Sequence, residues 1–325
     1  MTLHAEINGY VRAPSTHDMD MLVVPGGTFR MGSDRHYPEE APSHRVTVDG
    51  FWMDRTPVTN RQFKQFVEET GYVTFAEQVP DASIYPGALP HMPFAGSLTF
   101  CPPGLAVDLR NWGAWWVLLK GANWQHPYGP KSNIHALQNH PVVHVTCGDA
   151  LAYAQWAGKE LPTEAEWEFA ARGGLDEAEY AWGNQFTPGG RHMANTWQGE
   201  FPWKNTNSDG FERTSPVKAF PPNGYDLFDM IGNVWEWTSD WYAPHHQRDA
   251  AKAYCIPENP RGGREEDSYD PCTPEVRKPR KVIKGGSHLC APNYCHRYRP
   301  AARHAEPVDT STSHLGFRCI RRFGF

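Results

Sequence analysis

The sequence predicts an irregular, loop-rich α+β fold, a single domain built from short strands and a few capped helices. Two observations carry that expectation. Glycine and proline number 29 each among 325 residues, which favours turns over long regular elements. The stretches with clear periodicity are short: alternating segments near the start, then helical stripes bounded by capping signals and glycines. Hydrophobic residues at 39% and charged residues at 21% describe a globular chain rather than a disordered one. The length suffices for one large domain or two ordinary ones.

Residues 1–20 read as an N-terminal arm and 21–325 as the domain. Met21 to Ser33 reads as a strand, a Pro25-Gly26 turn and a second strand, and His44 to Phe51 continues the pattern, with Val46 and Val48 alternating against polar neighbours. Thr59 opens a helix, with Gln62 completing a capping box, Phe63, Phe66 and Val67 on one face, and Gly71 as the stop. Residues 78–140 have little periodicity and are rich in Pro, Gly, His and Trp; a region of this kind is functional or packed by its own side chains. Trp115-Trp116 and Lys120 to Pro127 suit an aromatic core and a site wall equally well. His140 to Val145 reads as a buried strand and Asp149 to Trp156 as a helix stopped by Gly158. Thr163 with Glu166 makes a second capping box, and Gly173-Gly174 ends that helix. Residues 245–280 read as a polar, turn-rich surface insertion with Cys255 and Cys272; Val282-Ile283-Lys284 and Thr312 to Arg321 read as strands, the latter with Leu315, Phe317 and Cys319 on one side.

Several functional classes lose support at this level. There is no P-loop, G-x-G-x-x-G, H-E-x-x-H or G-x-S-x-G. The net charge of −6 argues against nucleic acid and anionic membrane as partners. No apolar run is long enough to span a bilayer, and the N-terminus lacks the basic and apolar regions of a signal peptide. Seven unevenly spaced cysteines are too sparse for a secreted disulfide scaffold, so reduced thiols in the cytoplasm are the expectation.

The chemistry concentrates between Lys284 and Arg303. This stretch holds Cys290 and Cys295, Gly285-Gly286, His296, two tyrosines and the arginines 297, 299 and 303. In a straight strand, positions five apart point to opposite faces, so the thiols meet only across a bend, which Ala291-Pro292-Asn293 supplies. The spacing fits a disulfide, a soft-metal site or a redox couple, and does not choose among them.

The pattern G-G-S-x-x-C-x-x-x-Y-C-x-R-Y-R-x-A-A-R over 285–303, followed by His314 to Cys319, resembles the C-terminal signature of the formylglycine-generating enzymes, the sulfatase-modifying factors. Similarity extends from about Met21 to the end, including Leu161 to Glu168. The resemblance implies the family's irregular, C-type-lectin-like fold and an O2-dependent oxidase. Cys290 and Cys295 would bind one Cu(I) ion, with Arg297 or Lys284 lowering thiol pKa values and Ser287, Trp235 and Tyr294 shaping the oxygen pocket. A cysteine of an unfolded sulfatase segment, C-x-P-x-R, would join the copper; O2 would then bind, the Cβ–H bond break, and a thioaldehyde hydrolyse to formylglycine, with a thiol reductant as co-substrate. The same resemblance implies structural Ca2+ at Asn195, Thr196, Asp209 and Phe211, and a second Ca2+ at Asp229, Gly232, Val234 and Glu236. Plain turn and loop-holding roles are the alternatives for both sets.

Departures from the family pattern bear on the substrate more than on the metal. Ala154, Ala171 and Pro300 stand where some secreted relatives carry disulfide cysteines, Thr146-Cys147-Gly148 replaces a Ser-Trp-Asn string, and Asp229 stands where relatives carry Asn. Cys272 to Arg277 nearly repeats the substrate segment with its arginine one place late; a pseudo-substrate loop is one reading and chance similarity the plainer one. The competing functional readings are a non-catalytic binding protein on the same scaffold and an iron-dependent sulfur-transfer oxygenase; the latter wants a facial histidine cluster such as H-x-x-x-H-x-H, which the sequence lacks.

Overall fold

A computed structural model of the chain describes residues 20–81, 94–246 and 256–323. Residues 1–19 of the expected arm, and Cys255, lie outside them. The strands and helices run β1 (Met21–Val24), β2 (Gly27–Met31), β3 (His44–Val48), β4 (Phe51–Asp54), α1 (Asn60–Thr70), β5 (Gly96–Phe100), β6 (Trp116–Lys120), α2 (Cys147–Trp156) and α3 (Glu164–Arg172). They continue β7 (Gly199–Glu200), β8 (Lys204–Asn205), β9 (Trp235–Trp241), β10 (Arg280–Lys284), β11 (Arg303–Pro307), β12 (Leu315–Gly316) and β13 (Ile320–Arg322). The fold is α+β and loop-rich, as expected.

Local chemistry sets the helix ends. At α1, the Thr59 N–H donates to Gln62 Oε1 at 2.8 Å, and Gly71 closes the helix in the left-handed region at φ 68°. At α3, the Thr163 N–H donates to Glu166 Oε2 at 2.7 Å and the Glu166 N–H returns a bond to Thr163 Oγ1 at 3.1 Å. α2 begins two residues before the expected start. Thr146 is its cap, and Asp149 plays the part that Gln62 and Glu166 play elsewhere, accepting from the Thr146 N–H at 2.8 Å.

Two strand expectations fail, each for its own reason. His140–Val145 is buried but not a strand, because His144 sits at φ 62° and the segment's amides reach outward, Val142 to the Val58 carbonyl and His144 to the Thr312 carbonyl, both at 2.9 Å. The stretch 312–321 is not one strand. β12 pairs with β9 and β13 with β4, so the chain crosses from one sheet to another between them, and Arg318 is as buried as Phe317 and Cys319. The 256–280 part of the insertion is not a free excursion either: Thr47 donates to the Pro257 carbonyl at 2.9 Å, Asn259 to the Thr47 carbonyl at 2.7 Å, and Ser268 is fully buried.

The sheet that positions the site has the order β11-β10-β9-β12. Its register places Ile283 beside Trp237 and His304, and Lys284 beside Glu236 and Arg303. Side chains alternate across a strand, so Trp235, Ile283, His304 and Glu306 share one face while Glu236, Lys284 and Arg303 share the other. The second face meets α3. Lys284 Nζ lies 3.0 Å from Glu168 Oε2 and 3.7 Å from Glu164 Oε1, Arg303 Nε lies 2.7 Å from Glu164 Oε1, and the Trp167 indole donates to Glu236 Oε2 at 2.7 Å. Burial pushes the Glu168 carboxyl up, but Lys284 and Arg172 more than offset it and hold the group down at about 2.

Candidate active site

β10 runs into Gly285 and Gly286, both with positive φ (93° and 69°). A Cβ on Gly286 would come within 2.9 Å of the Arg297 carbonyl oxygen, so the start and end of the cysteine loop are pressed backbone to backbone. The bend between the cysteines is a helical turn: the Ala291 carbonyl accepts from Tyr294 at 3.0 Å and from Cys295 at 2.8 Å. Asn293 pins it to the loop at 201, exchanging hydrogen bonds with the Phe201 carbonyl at 3.3 Å and the Phe201 N–H at 3.4 Å.

This turn brings the two sulfurs to 3.1 Å. That is well beyond the roughly 2.05 Å of a disulfide, and both cysteines are free thiols. Cys290 is buried, and burial together with the neighbouring Cys295 sulfur drives its pKa well up. Cys295 moves the other way, to about 7, because it accepts the Cys290 S–H and because Arg297 stands beside it. The pair therefore behaves as one thiol and one incipient thiolate sharing a proton. Lys284, the other cation expected to assist, points to the opposite face of the sheet and is committed to Glu168 and Glu164. Arg297 is held by Glu39 at 2.6 Å and lies 3.8 Å above the Tyr37 ring.

Both cysteines line a cavity of about 520 Å³. Ser287, Trp235 and Tyr294 line it too, so the structure gathers all five expected residues at one place. The Tyr294 ring is stacked on Phe201 at 4.5 Å and packs edge-on against Trp115 at 5.5 Å. The aromatic segment thus divides: Trp115 and Trp124 are core, while Trp116 and Trp112 line the cavity. Sequence reasoning gave no role to His304, Glu306 or His314, which also line the cavity. His314 Nδ1 is 3.0 Å from Ser287 Oγ, and its ring packs on Trp116 at 4.8 Å. Burial and neighbouring histidines keep it uncharged. Enclosure raises the Glu306 carboxyl to about 7. The available signal was the His314-Leu315-Gly316-Phe317-Arg318 string; Glu306 has none, since only its register on β11 aims it inward.

The donor sets fit their expected ions unequally. Two sulfurs within contact of each other suit a soft monovalent ion. In the first oxygen set, Asn195 is buried and its Oδ1 has no partner, the costly kind of orphan that a cation relieves. The Gln198 amide nitrogen now bridges the Thr196 carbonyl and Asp209 Oδ2, occupying the position of a positive group between those oxygens. Phe211 follows two residues later, its N–H donating to Asp209 Oδ1 at 3.0 Å. The set lies against the cysteine loop, because Trp197 donates to the Cys290 carbonyl at 3.0 Å. In the second set, Asp229, Gly232 and Asn233 have positive φ, and enclosure raises Asp229 to about 6. Val234 is buried beside them. Glu236 is already engaged by Arg318 at 2.7 and 2.8 Å and by Trp167 at 2.7 Å, and Arg318 also donates to the Phe228 and Asp229 carbonyls. A guanidinium thus serves as cation for that turn. Cys272 is exposed and free, and it is not among the residues that line the cavity.

A family model described as the sulfatase-modifying factor enzyme 1-like domain matches residues 9–323. The chain is similar to the formylglycine-generating enzyme of Mycobacterium tuberculosis, 53% identical over 302 residues that cover 93% of this chain and 97% of that one. It is similar also to the formylglycine-generating enzyme of Mus musculus, 47% identical over 302 residues, covering 92% of this chain and 74% of that one. Among solved structures, PvdO from Pseudomonas aeruginosa shares the fold, with a TM-score of 0.61 at 24% identity over 93% and 94% of the two chains.

Proposed function

This chain belongs to the sulfatase-modifying factor family, and from that premise we propose that it is a formylglycine-generating oxidoreductase, converting a cysteine of a sulfatase polypeptide to Cα-formylglycine. The observation that carries the reading is the unbridged Cys290–Cys295 pair, 3.1 Å apart in the wall of a cavity. What supports Cu(I) as the cofactor is the donor set, two adjacent sulfurs with Arg297 lowering one of them. Copper, when bound, would supply the O2 chemistry that side chains alone cannot perform, with a thiol supplying reducing electrons.

The remaining work falls to the chain. Cys295, with its pKa lowered to about 7, gives up its proton far more readily than Cys290, whose pKa is driven up, so ligation by both would release the proton that Cys290 keeps. Ser287 and His314 hold each other by a hydrogen bond on the cavity wall, and Trp235 and Tyr294 present rigid aromatic surface that limits water around the sulfurs. Glu306, near neutrality in its pKa, can hold or release a proton at its carboxyl oxygen. Among the described residues β11 pairs on one side only, with β10, and its Ala305 and Glu306 line the cavity. An extended C-x-P-x-R segment fits along such an edge through main-chain hydrogen bonds.

Structural calcium at Asn195, Thr196, Asp209 and Phe211 belongs to the same proposal, supported by the orphaned Asn195 oxygen. So does a reducing, cytoplasmic setting, in which thiols stay available to a soft metal. No helix among the described residues is long and apolar enough to cross a membrane.

The test is mass spectrometry of a C-x-P-x-R peptide incubated with the protein, O2 and a thiol, with and without Cu(I). The expected product has CHO in place of CH2SH and forms only with copper. Cys290→Ser and Cys295→Ser each lower turnover by about 10³-fold or more, the scale for groups at the reacting atoms. Full turnover in either variant would overturn the proposal.

A further inference from the structure

Beside the thiol pair, but outside its cavity, three side chains from distant segments converge: His36, Glu179 and His296. Each offers one donor atom, and the three atoms lie within 4.8 Å of one another. His36 Nε2 is 2.6 Å from Glu179 Oε1, and the His36 and His296 rings stand edge to face at 5.3 Å. The cluster is partly sheltered, with 22% of the His36 side chain and 16% of the Glu179 side chain accessible. None of the three lines the cysteine cavity.

The approach is built rather than incidental. The segment carrying His36 is strapped to the segment carrying His296 by successive contacts. The His296 N–H donates to the Tyr37 hydroxyl at 3.0 Å. Arg297 pairs with Glu39 at 2.6 Å, and Arg299 with Glu40 at 2.5 Å. The Tyr180 hydroxyl, next to Glu179, lies 3.2 Å from His296 Nε2. Two imidazoles and one carboxylate at this spacing are the ligand types of divalent first-row transition ions, and borderline ions such as Zn(II) and Co(II) accept them. Opposing positive charge comes from Arg35, 3.2 Å from Glu179 Oε2, and Arg299, 4.0 Å from Oε1. Arg299 is already neutralised by Glu40, and Arg35, with 63% of its side chain accessible and a long 3.4 Å bond to the Glu177 carbonyl, is held only at the surface.

We infer that His36, Glu179 and His296 form a second metal site, for a divalent first-row transition ion, distinct from the thiol pair. An ion there would bolt the 36–40 and 179–180 loops to the residue that follows Cys295, tightening the loop that carries one thiol. The sequence pattern could not show it, because the ligands come from three separate loops.

The test uses Co(II) as a spectroscopic probe and Zn(II) for stability. The full chain carrying Cys290→Ser and Cys295→Ser is titrated, so that the sulfurs cannot contribute. The expected result is one equivalent of Co(II) with visible ligand-field bands, no thiolate charge-transfer band, and a Zn(II)-dependent rise in Tm. His36→Ala and, independently, Glu179→Gln weaken that binding by about tenfold or more, since even outer-shell partners of metal sites cost that much. Unchanged affinity in both folded variants, or no uptake by the parent protein up to millimolar metal, overturns the site. Peptide oxidation by the copper-loaded wild-type protein is read separately, so failure here leaves the thiol chemistry untouched.

Discussion

The two faces of the β11-β10-β9-β12 sheet carry opposite kinds of electrostatics. Toward α3, buried charges meet their opposites: Lys284 with Glu168 and Glu164, Arg303 with Glu164, Arg318 with Glu236. Toward the cavity, apart from Arg297 with its Glu39 partner, the groups are neutral or protonated out of their usual range: His314 uncharged, Glu306 near 7, Cys290 and Cys295 sharing a proton. The contrast teaches where reactivity resides. Paired buried ions are fixed by the cost of leaving either one alone. Groups poised near neutral pH respond to a ligand, a metal or a proton.

The helix-facing ion pairs are tested hardest at Lys284. Lys284→Met removes one of the two cations at Glu168 and at Glu164, leaving Arg172 and Arg303 as their partners, and is expected to cost about 3 kcal/mol of stability, the low end for a broken buried pair, measured by urea denaturation. A loss near zero would show that the helix-facing ions do not support the fold. The same pair gives an acid limit. Glu168 is depressed from 4.5 to about 2, so its contribution is complete above pH 4.5 and drains away as pH falls toward 2. In Lys284→Met that part of the acid denaturation profile should flatten.

Calcium tests the orphaned Asn195 oxygen beside the cysteine loop. At a concentration 100 times its Kd, the ion should add about 2.7 kcal/mol of stability to the metal-free protein, and Asn195→Ala should abolish that gain, read as a Ca2+-dependent change in Tm. A smaller effect is expected at Arg297. In the metal-free protein, alkylation of Cys295 should rise with pH through about 7. Arg297→Gln withdraws the cation that favours the thiolate, so the inflection moves up towards the ordinary thiol value. Alkylation well below the inflection then slows roughly tenfold for every tenfold fall in the thiolate fraction. An unmoved inflection would leave the Cys290 hydrogen bond as the sole cause.

Much of this was legible from residue order where the chemistry is local. The Thr59–Gln62 and Thr163–Glu166 boxes and the glycine stops at 71 and 173 lie where their residues predict. The α2 start was misplaced because an Asp served as the box partner. The residues expected at the site, Ser287, Trp235, Tyr294 and the two cysteines, do converge. Glu306 escaped notice because its direction depends on the pairing of β11 with β10, and the 140–145 segment misled because a left-handed His144 turns its amides to distant loops.

By itself, the order of residues determined the helix caps, the bend that lets two thiols meet, and the family to which the chain belongs, since these depend on contacts a few residues long or on motif identity. Only packing decided that Lys284 faces away from the sulfurs while Arg297 attends them. Lys284 answers to a carboxylate 116 positions away and Arg297 to one 258 positions away. Two cations of like charge differ in role because α3 covers one face of a strand and leaves the other open.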